Sequence, residues 1–228
     1  MALPVTPVST LWRELRDEVR RQYRGGRILL AVDGVDGAGK TVFADGLADV
    51  FAEAGTTVFR SSIDGFHRPR SERYARGRRS PEGFYRDSYD YATFRRVLID
   101  PFREGWQTSA TIGFQLAAFD WRRDAAVESA WVAAPRDAVL IVDGVFLHRP
   151  ELRDLWDWSL WLEVPYPVAY ARMALRDGSD PDPDAASNRR YRDGQELYID
   201  EADPRGAASV VVDNADLAHP RRISRSNG

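Results

Sequence analysis

The residues that set the chemistry open to this sequence are Gly34, Gly39, Lys40 and Thr41, which stand in GVDGAGKT at the spacing G-x-x-x-x-G-K-[ST]. Glycines at such points let the chain wrap so that successive backbone N–H groups face inward. The helix that follows turns its positive end to the same spot. The result is an anion cradle, expected to be lined by Gly34, Asp36, Gly37, Ala38, Gly39, Lys40, Thr41 and Val42. Lys40 would reach the β- and γ-phosphates of a nucleotide, and the Thr41 hydroxyl would ligate Mg²⁺. No G-x-G-x-x-G occurs at this turn, which disfavours a dinucleotide.

Two carboxylates fit beside that cradle. Asp143 closes the apolar run 138–142, the pattern of a buried parallel strand whose last residue faces a nucleotide. It is the second candidate metal ligand, the alternative being a turn cap before Gly144. Asp64, in SIDGFHRPR, comes directly after a second predicted strand, at the end where parallel sheets hold ligands. It is expected to orient an acceptor hydroxyl and take its proton, with a place in the metal shell or a loop cap as alternatives. Phe66, His67, Tyr89, Asp90, Phe119 and Trp121 are expected to build the acceptor pocket around it. Arg172, Arg176, Arg189 and Arg190 supply cations to close over a transferring group. Arg172 and Arg176 join Lys40 and Asp64 as catalytic candidates; Arg176 is placed with the nucleotide as well, and Arg189 and Arg190 with the acceptor.

The elements that must position these residues can be read from periodicity. Thr10, Leu11, Leu15 and Val19 predict an amphipathic helix to about Tyr23, ended by Gly25 and Gly26. A strand over 28–32 enters the cradle. Val42, Phe43, Leu47, Val50 and Phe51 then give its helix, Gly55 a C-cap, and 57–61 a second strand. Residues 70–86, rich in Arg, Gly, Ser and Pro, are expected to form an exposed loop with mostly solvated arginines. A helical pattern through Phe94, Val97, Leu98 and Ile99 is expected to end at Pro101, and 103–124 to hold an irregular hairpin or loop. Strands follow at 159–164 and 210–214, with a helix at 167–176 between them and a frayed tail from Arg221. The whole reads as one α/β domain over 1–228, a three-layer fold with a mostly parallel sheet flanked by helices. Acceptor-side insertions lie at about 65–90 and 103–124, and a small basic lid at about 177–192.

Composition narrows the partners. A net charge of −3 and a pI near 5.7 give no global attraction to nucleic acid or to an anionic membrane, so neither is expected as a partner and any anion must be bound locally. The chain has no cysteine, and its histidines (His67, His148 and His219) are too scattered for a metal cage. With no long apolar run, the sequence predicts a cytoplasmic protein.

Together these residues resemble the uridine kinase and phosphoribulokinase group of P-loop kinases, from about Ile28 to Asn214. GVDGAGKT resembles that group's phosphate loop, SIDGFHRPR its Asp-x-Phe-Tyr element, Tyr89-Asp90-Tyr91 its Phe-Asp-His, and VLIVDGVFL its Walker B segment; GQELYIDEADPRGAASVVVDN fits its C-terminal part. The resemblance implies a P-loop NTPase fold, ATP as phosphate donor, Mg²⁺, and a small nucleoside-like or sugar-like alcohol as acceptor. The departures fall on the acceptor side. Asp143 stands where the group usually has glutamate, and His67 where it often has tyrosine. Phe119 and Asp124 correspond most nearly to the nucleoside-contacting tyrosine and histidine. Two other functions stay open: a nucleotide-driven ATPase or switch, and a regulatory protein with weak catalysis. A guanine-specifying Asn-Lys-x-Asp is absent, which argues against a GTPase version of the switch. The oligomeric state is open, a homodimer included.

Overall fold

The computed structural model describes residues 3–104 and 113–223. In chain order the elements are α1 (Pro7–Gln22), β1 (Arg27–Gly34), α2 (Lys40–Glu53), β2 (Val58–Ser62), a 3₁₀ turn (Ile63–Phe66), α3 (Arg70–Arg73), α4 (Pro81–Asp87) and α5 (Tyr91–Phe94). A π-helical turn (Arg95–Ile99), α6 (Asp100–Glu104), the short strands β3 (Phe119–Asp120) and β4 (Ala125–Ala126), and β5 (Ala138–Gly144) come next. The chain then forms a 3₁₀ turn (Arg153–Leu155), β6 (Trp158–Glu163), α7 (Tyr166–Asp177), α8 (Arg189–Ala202), α9 (Pro204–Ala207), β7 (Val210–Asp213) and β8 (Arg221–Ile223).

Six strands form one sheet in the order β2-β5-β1-β6-β7-β8, parallel except for β8, and β3 pairs with β4 in a separate hairpin. The expected fold class, a mostly parallel sheet flanked by helices, is the one formed. β1 and β5 lie side by side at its centre, with Val32 opposite Asp143. Both are apolar almost throughout because both faces are covered, as parallel strands require. Their C-terminal ends therefore bring the phosphate loop and Asp143 together. α1 packs on α2 through Trp12, whose ring meets Phe43 edge-on at 5.9 Å.

Four expectations are corrected. Residues 70–86 are not an exposed loop throughout. α3 and α4 form there, and Phe84 and Tyr85 are buried against Phe146, each with ring centroids about 5 Å away. Burying two such aromatics contributes roughly 1.5–3 kcal/mol each, enough to fold a segment whose average composition is polar. α8 lies close against α4 because it carries Gly194 there; a Cβ at that position would fall 2.8 Å from Phe84 Cδ1 and from the Pro81 carbonyl. The predicted lid at 177–192 thus ends in a docked helix, with Asn188 and Arg190 buried.

The helix expected to stop at Pro101 runs on to Glu104. Pro101 cannot donate to the Val97 carbonyl; the backbone widens into a π turn there, and the Gln115 N–H takes up that carbonyl at 2.8 Å. Part of the 103–124 expectation falls on residues 105–112, outside the described ones; the rest holds β3, whose hairpin partner β4 lies just beyond it. The tail expected from Arg221 begins instead as β8, whose residues pair with β7 and whose Arg222 bonds Glu18 of α1.

Candidate active site

The phosphate loop is held from outside by three elements. A side chain at Gly37, where φ is +75°, would put its Cβ 2.3 Å from the Ala169 carbonyl, so α7 sits against bare backbone. Asn214, after β7, donates to the Ala38 carbonyl at 2.7 Å. Gln195 of α8 grips Asp36 twice, accepting from its N–H at 2.9 Å and donating to its carboxylate at 3.2 Å. Burial raises the Asp36 pKa, Lys40 working against it and Asp64 with it. Lys40 Nζ folds back and donates to the Val35 carbonyl at 2.8 Å, an uncharged acceptor that an anionic phosphate oxygen would replace.

Beneath the loop, Asp33 is fully buried and fully used. Its Oδ1 accepts from Gly34 N at 2.8 Å. Its Oδ2 accepts from Leu147 N, His148 N and His148 Nδ1 at 3.0, 3.1 and 2.8 Å, and from the Tyr198 hydroxyl. This carboxylate ties the loop's first glycine to the turn after β5 and to α8. Burial next to it drives the Tyr198 pKa well up, so the phenol stays a donor.

Thr41 and Asp143, the two candidate metal ligands, are in contact: the Thr41 hydroxyl donates to Asp143 Oδ2 at 2.8 Å. The other carboxylate oxygen accepts from Arg60 Nη2 at 2.8 Å, and Arg60 also bonds the Ile141 carbonyl and Asp45. Sequence reading did not single out Arg60. It sits on β2, whose register sets Ser62 opposite Asp143, and only the strand pairing brings it to that carboxylate. The pairing fits the shorter reach of aspartate: the arginine fixes the carboxylate while one oxygen still faces Thr41.

Asp64 lies on the 3₁₀ turn after β2, its N–H capped by Ser62 Oγ. Its carboxylate is exposed and accepts from the buried Tyr89 hydroxyl at 3.1 Å. His67 Nδ1 donates to the Asp64 carbonyl at 2.9 Å, and the ring leans on Tyr89 and Trp121 with centroids at 4.5 and 6.1 Å. Burial lowers the His67 pKa, Asp64 opposing it. Tyr89 is raised well above its ordinary value, by burial first and Asp64 second. Asp64 therefore has one fixed donor and a free oxygen facing open space, the arrangement a proton acceptor needs.

Two cavities flank it. One, of about 380 Å³, is lined by Gly37, Gly39, Lys40, Thr41, Asp143 and Arg172 among others. The second, of about 730 Å³, runs past His67, Tyr89 and Trp121 to α3 and α8. Asp36, Asp64, Met173 and Arg176 line both, so the cavities adjoin along these four residues, Asp64 among them.

Of the predicted site residues, Asp36, Gly37, Gly39, Lys40, Thr41, Val42, Asp143, Arg172 and Arg176 face the phosphate-loop cavity. Gly34 and Ala38 are buried in the loop's own backbone. Asp64, His67, Tyr89, Trp121 and Arg190 face the larger cavity. The structure does not bring four others there. Phe66 is in the core, edge-on to Phe94 at 5.1 Å; Asp90 caps α5 by accepting from Thr93 N; Phe119 pairs in the hairpin; Arg189 is exposed at the start of α8. Arg172 spends Nη2 on the Asn214 and Ala215 carbonyls and keeps a buried Nη1 without a partner. Arg70, Arg73, Tyr74, Arg78 and Tyr191 also line the larger cavity and were not singled out. Their only signal in the sequence is the arginine-rich run itself.

No family model matches the chain. Solved structures do. It is similar to a possible uridine kinase from Bacillus stearothermophilus at 22% identity and a TM-score of 0.61, over 87% of this chain and 98% of that one. It is also similar to a protein assigned as a fructose transport system kinase from a Silicibacter species, at 25% identity and 0.58, over 88% and 91%. A D-glycerate 3-kinase from Cryptococcus neoformans matches at 10% identity and 0.59, over 96% and 100%. The chain thus has the fold of P-loop kinases.

Proposed function

We propose that this protein is a kinase that moves the γ-phosphoryl group of ATP to a hydroxyl of a small alcohol. The observation that carries the reading is that the two cavities adjoin along residues that include Asp64, with the phosphate loop on one side and an aromatic and basic pocket on the other.

The residues divide the work. The loop amides and Lys40 hold the triphosphate, Lys40 exchanging the Val35 carbonyl for a phosphate oxygen. Thr41 and Asp143 are the groups that would hold Mg²⁺, and the 2.8 Å approach of their oxygens suits a hard cation with oxygen ligands. Among the described residues no group of three or more acidic, histidine or cysteine side chains is placed to hold a metal ion. Bound there, Mg²⁺ would neutralise phosphate charge. Asp64 accepts the proton as the acceptor oxygen bonds to phosphorus and the bond to the bridging oxygen of ADP breaks. Arg172 and Arg176, which both line the phosphate-loop cavity, are the cations that would answer the developing charge.

Incubation with Mg·ATP and a panel of nucleosides, sugars and hydroxy acids tests the reading, with products identified by mass spectrometry. A phosphorylated alcohol is expected, and Lys40→Ala should abolish its formation while leaving the fold intact. Release of inorganic phosphate alone would indicate an ATPase or switch, and binding without turnover a regulatory protein. No helix among the described residues is long and apolar enough to cross a membrane.

A further inference from the structure

The larger cavity is charged unevenly. Each of its carboxylates has a partner: Asp36 has Gln195, Asp64 has Tyr89 on one oxygen, and Asp177 has Arg176. The wall formed by α3, the chain after it and the start of α8 carries Arg70, Arg73, Arg78 and Arg190, gathered about Tyr74. Little offsets them. Arg190 is only 8% exposed, yet its guanidinium lies over Tyr74 and Phe84 at 5.1 and 5.7 Å and donates to the Arg78 carbonyl at 2.8 Å. Among the described residues no carboxylate pairs with it or with Arg78, whose guanidinium lies 5.8 Å from the same Tyr74 ring. Arg70 bonds only the Arg122 carbonyl with its side chain. Arg73, 7% exposed, reaches Asp124 with Nη2 at 3.2 Å but has a buried Nε with no partner. Among the described residues Asp124 is thus the one carboxylate that answers this cluster.

A guanidinium taken out of water and left without a counter-charge is costly, and like charges beside it add to the cost. Burial lowers the Arg190 pKa, and Arg73 and Arg78 push the same way. Solvated arginines at a rim would need no explanation, but Arg73 and Arg190 are not solvated. Arg73, Arg78 and Arg190 all line the cavity that an anion would enter, and arginine forks suit an oxyanion with two or three oxygens.

We propose that the acceptor is an anionic alcohol, bearing a phosphate monoester or a carboxylate that Arg73, Arg78 and Arg190 hold while its hydroxyl lies at Asp64. The inference rests on the kinase reading and narrows it, away from neutral nucleosides. The anionic group takes no part in the chemistry. It anchors the molecule, so that the hydroxyl oxygen attacks phosphorus, the proton passes to Asp64 and ADP leaves with the bonding electrons. Discrimination should be strong, because a neutral acceptor would leave the half-desolvated arginines without a counter-charge.

The test uses the full chain with Mg·ATP and matched acceptors: glycerol, glycerol 3-phosphate and glycerate, and ribose with ribose 5-phosphate. The anionic member of a set is expected to show kcat/KM at least about 100-fold above its neutral partner, and comparison of glycerol 3-phosphate with glycerate separates phosphate from carboxylate. Arg190→Met and Arg78→Ala should each reduce that preference by about 10- to 100-fold, mainly through KM. Arg78 has an exposed side chain, so its variant reports even if the Arg190 variant does not fold. Equal or faster turnover of the neutral partners, or an undiminished preference in Arg78→Ala, overturns the inference and leaves the kinase reading standing. If ATP is hydrolysed or bound while no alcohol is phosphorylated, both fall.

Discussion

Asp33→Asn is a demanding perturbation, because the site beneath the phosphate loop is built around an acceptor with no donor of its own. Asp33 is fully buried, with one donor on Oδ1 and four on Oδ2. Asparagine has one oxygen. Keeping it toward Leu147, His148 and Tyr198 turns the amide NH₂ against the Gly34 N–H, leaving buried donors unsatisfied at a cost of about 1–3 kcal/mol. The bonds that survive become neutral rather than charge-assisted, each losing up to about 1 kcal/mol. Allowing for relaxation of the network, the expected loss is about 3–5 kcal/mol, a large part of a domain's typical 5–15. Urea unfolding at neutral pH should show a lower midpoint with an unchanged slope, which separates lost stability from altered compactness. Nucleotide affinity should fall as well, since Gly34 begins the loop. A loss under about 1 kcal/mol would refute the reasoning, for it would mean that the donors around Asp33 find other partners.

Asp143→Asn should reduce Mg²⁺-dependent turnover more than metal-free nucleotide binding, because an amide is the poorer ligand for a hard cation; an equal effect on both would make Asp143 structural. The His67 pKa is held below its ordinary value by burial, so the unfolded chain takes up the proton first as pH falls. The stability tied to neutral His67 is therefore complete above about pH 6.5 and lost as pH drops through that value toward the folded-state pKa. His67→Gln should accordingly give a shallower loss of urea stability between about pH 7.5 and 5.5, whereas parallel profiles would show that His67 is solvated.

The centre of the fold was legible because buried parallel strands are continuous apolar runs. Residues 28–32 and 138–142 announce β1 and β5, and strand pairing then obliges Asp143 and Thr41 to meet. Asp64 was legible for the same reason, as the residue leaving β2. The acceptor side was harder. In 70–86 the two aromatics that fold α4, Phe84 and Tyr85, are outnumbered by arginines, so composition read as loop. Phe66 and Phe119 were assigned to the pocket by position in a motif, which carries no information on which way a side chain points. Arg60 could not be found without the register of β2 on β5. Pro101 misled because the bond it cannot make is made by Gln115, a residue far along the chain.

The central claim is that Asp64, where the two cavities adjoin, takes the acceptor's proton. Single-turnover transfer from ATP by the wild type and Asp64→Asn, using an acceptor found by the panel, tests it most directly. The amide keeps the size of the side chain and can still accept from Tyr89, but it lacks the basic oxygen. The account predicts a fall in the transfer rate of roughly 10²- to 10⁴-fold with acceptor affinity little changed. A loss of only a few-fold in the chemical step, or a loss of affinity at an unchanged rate, would contradict it.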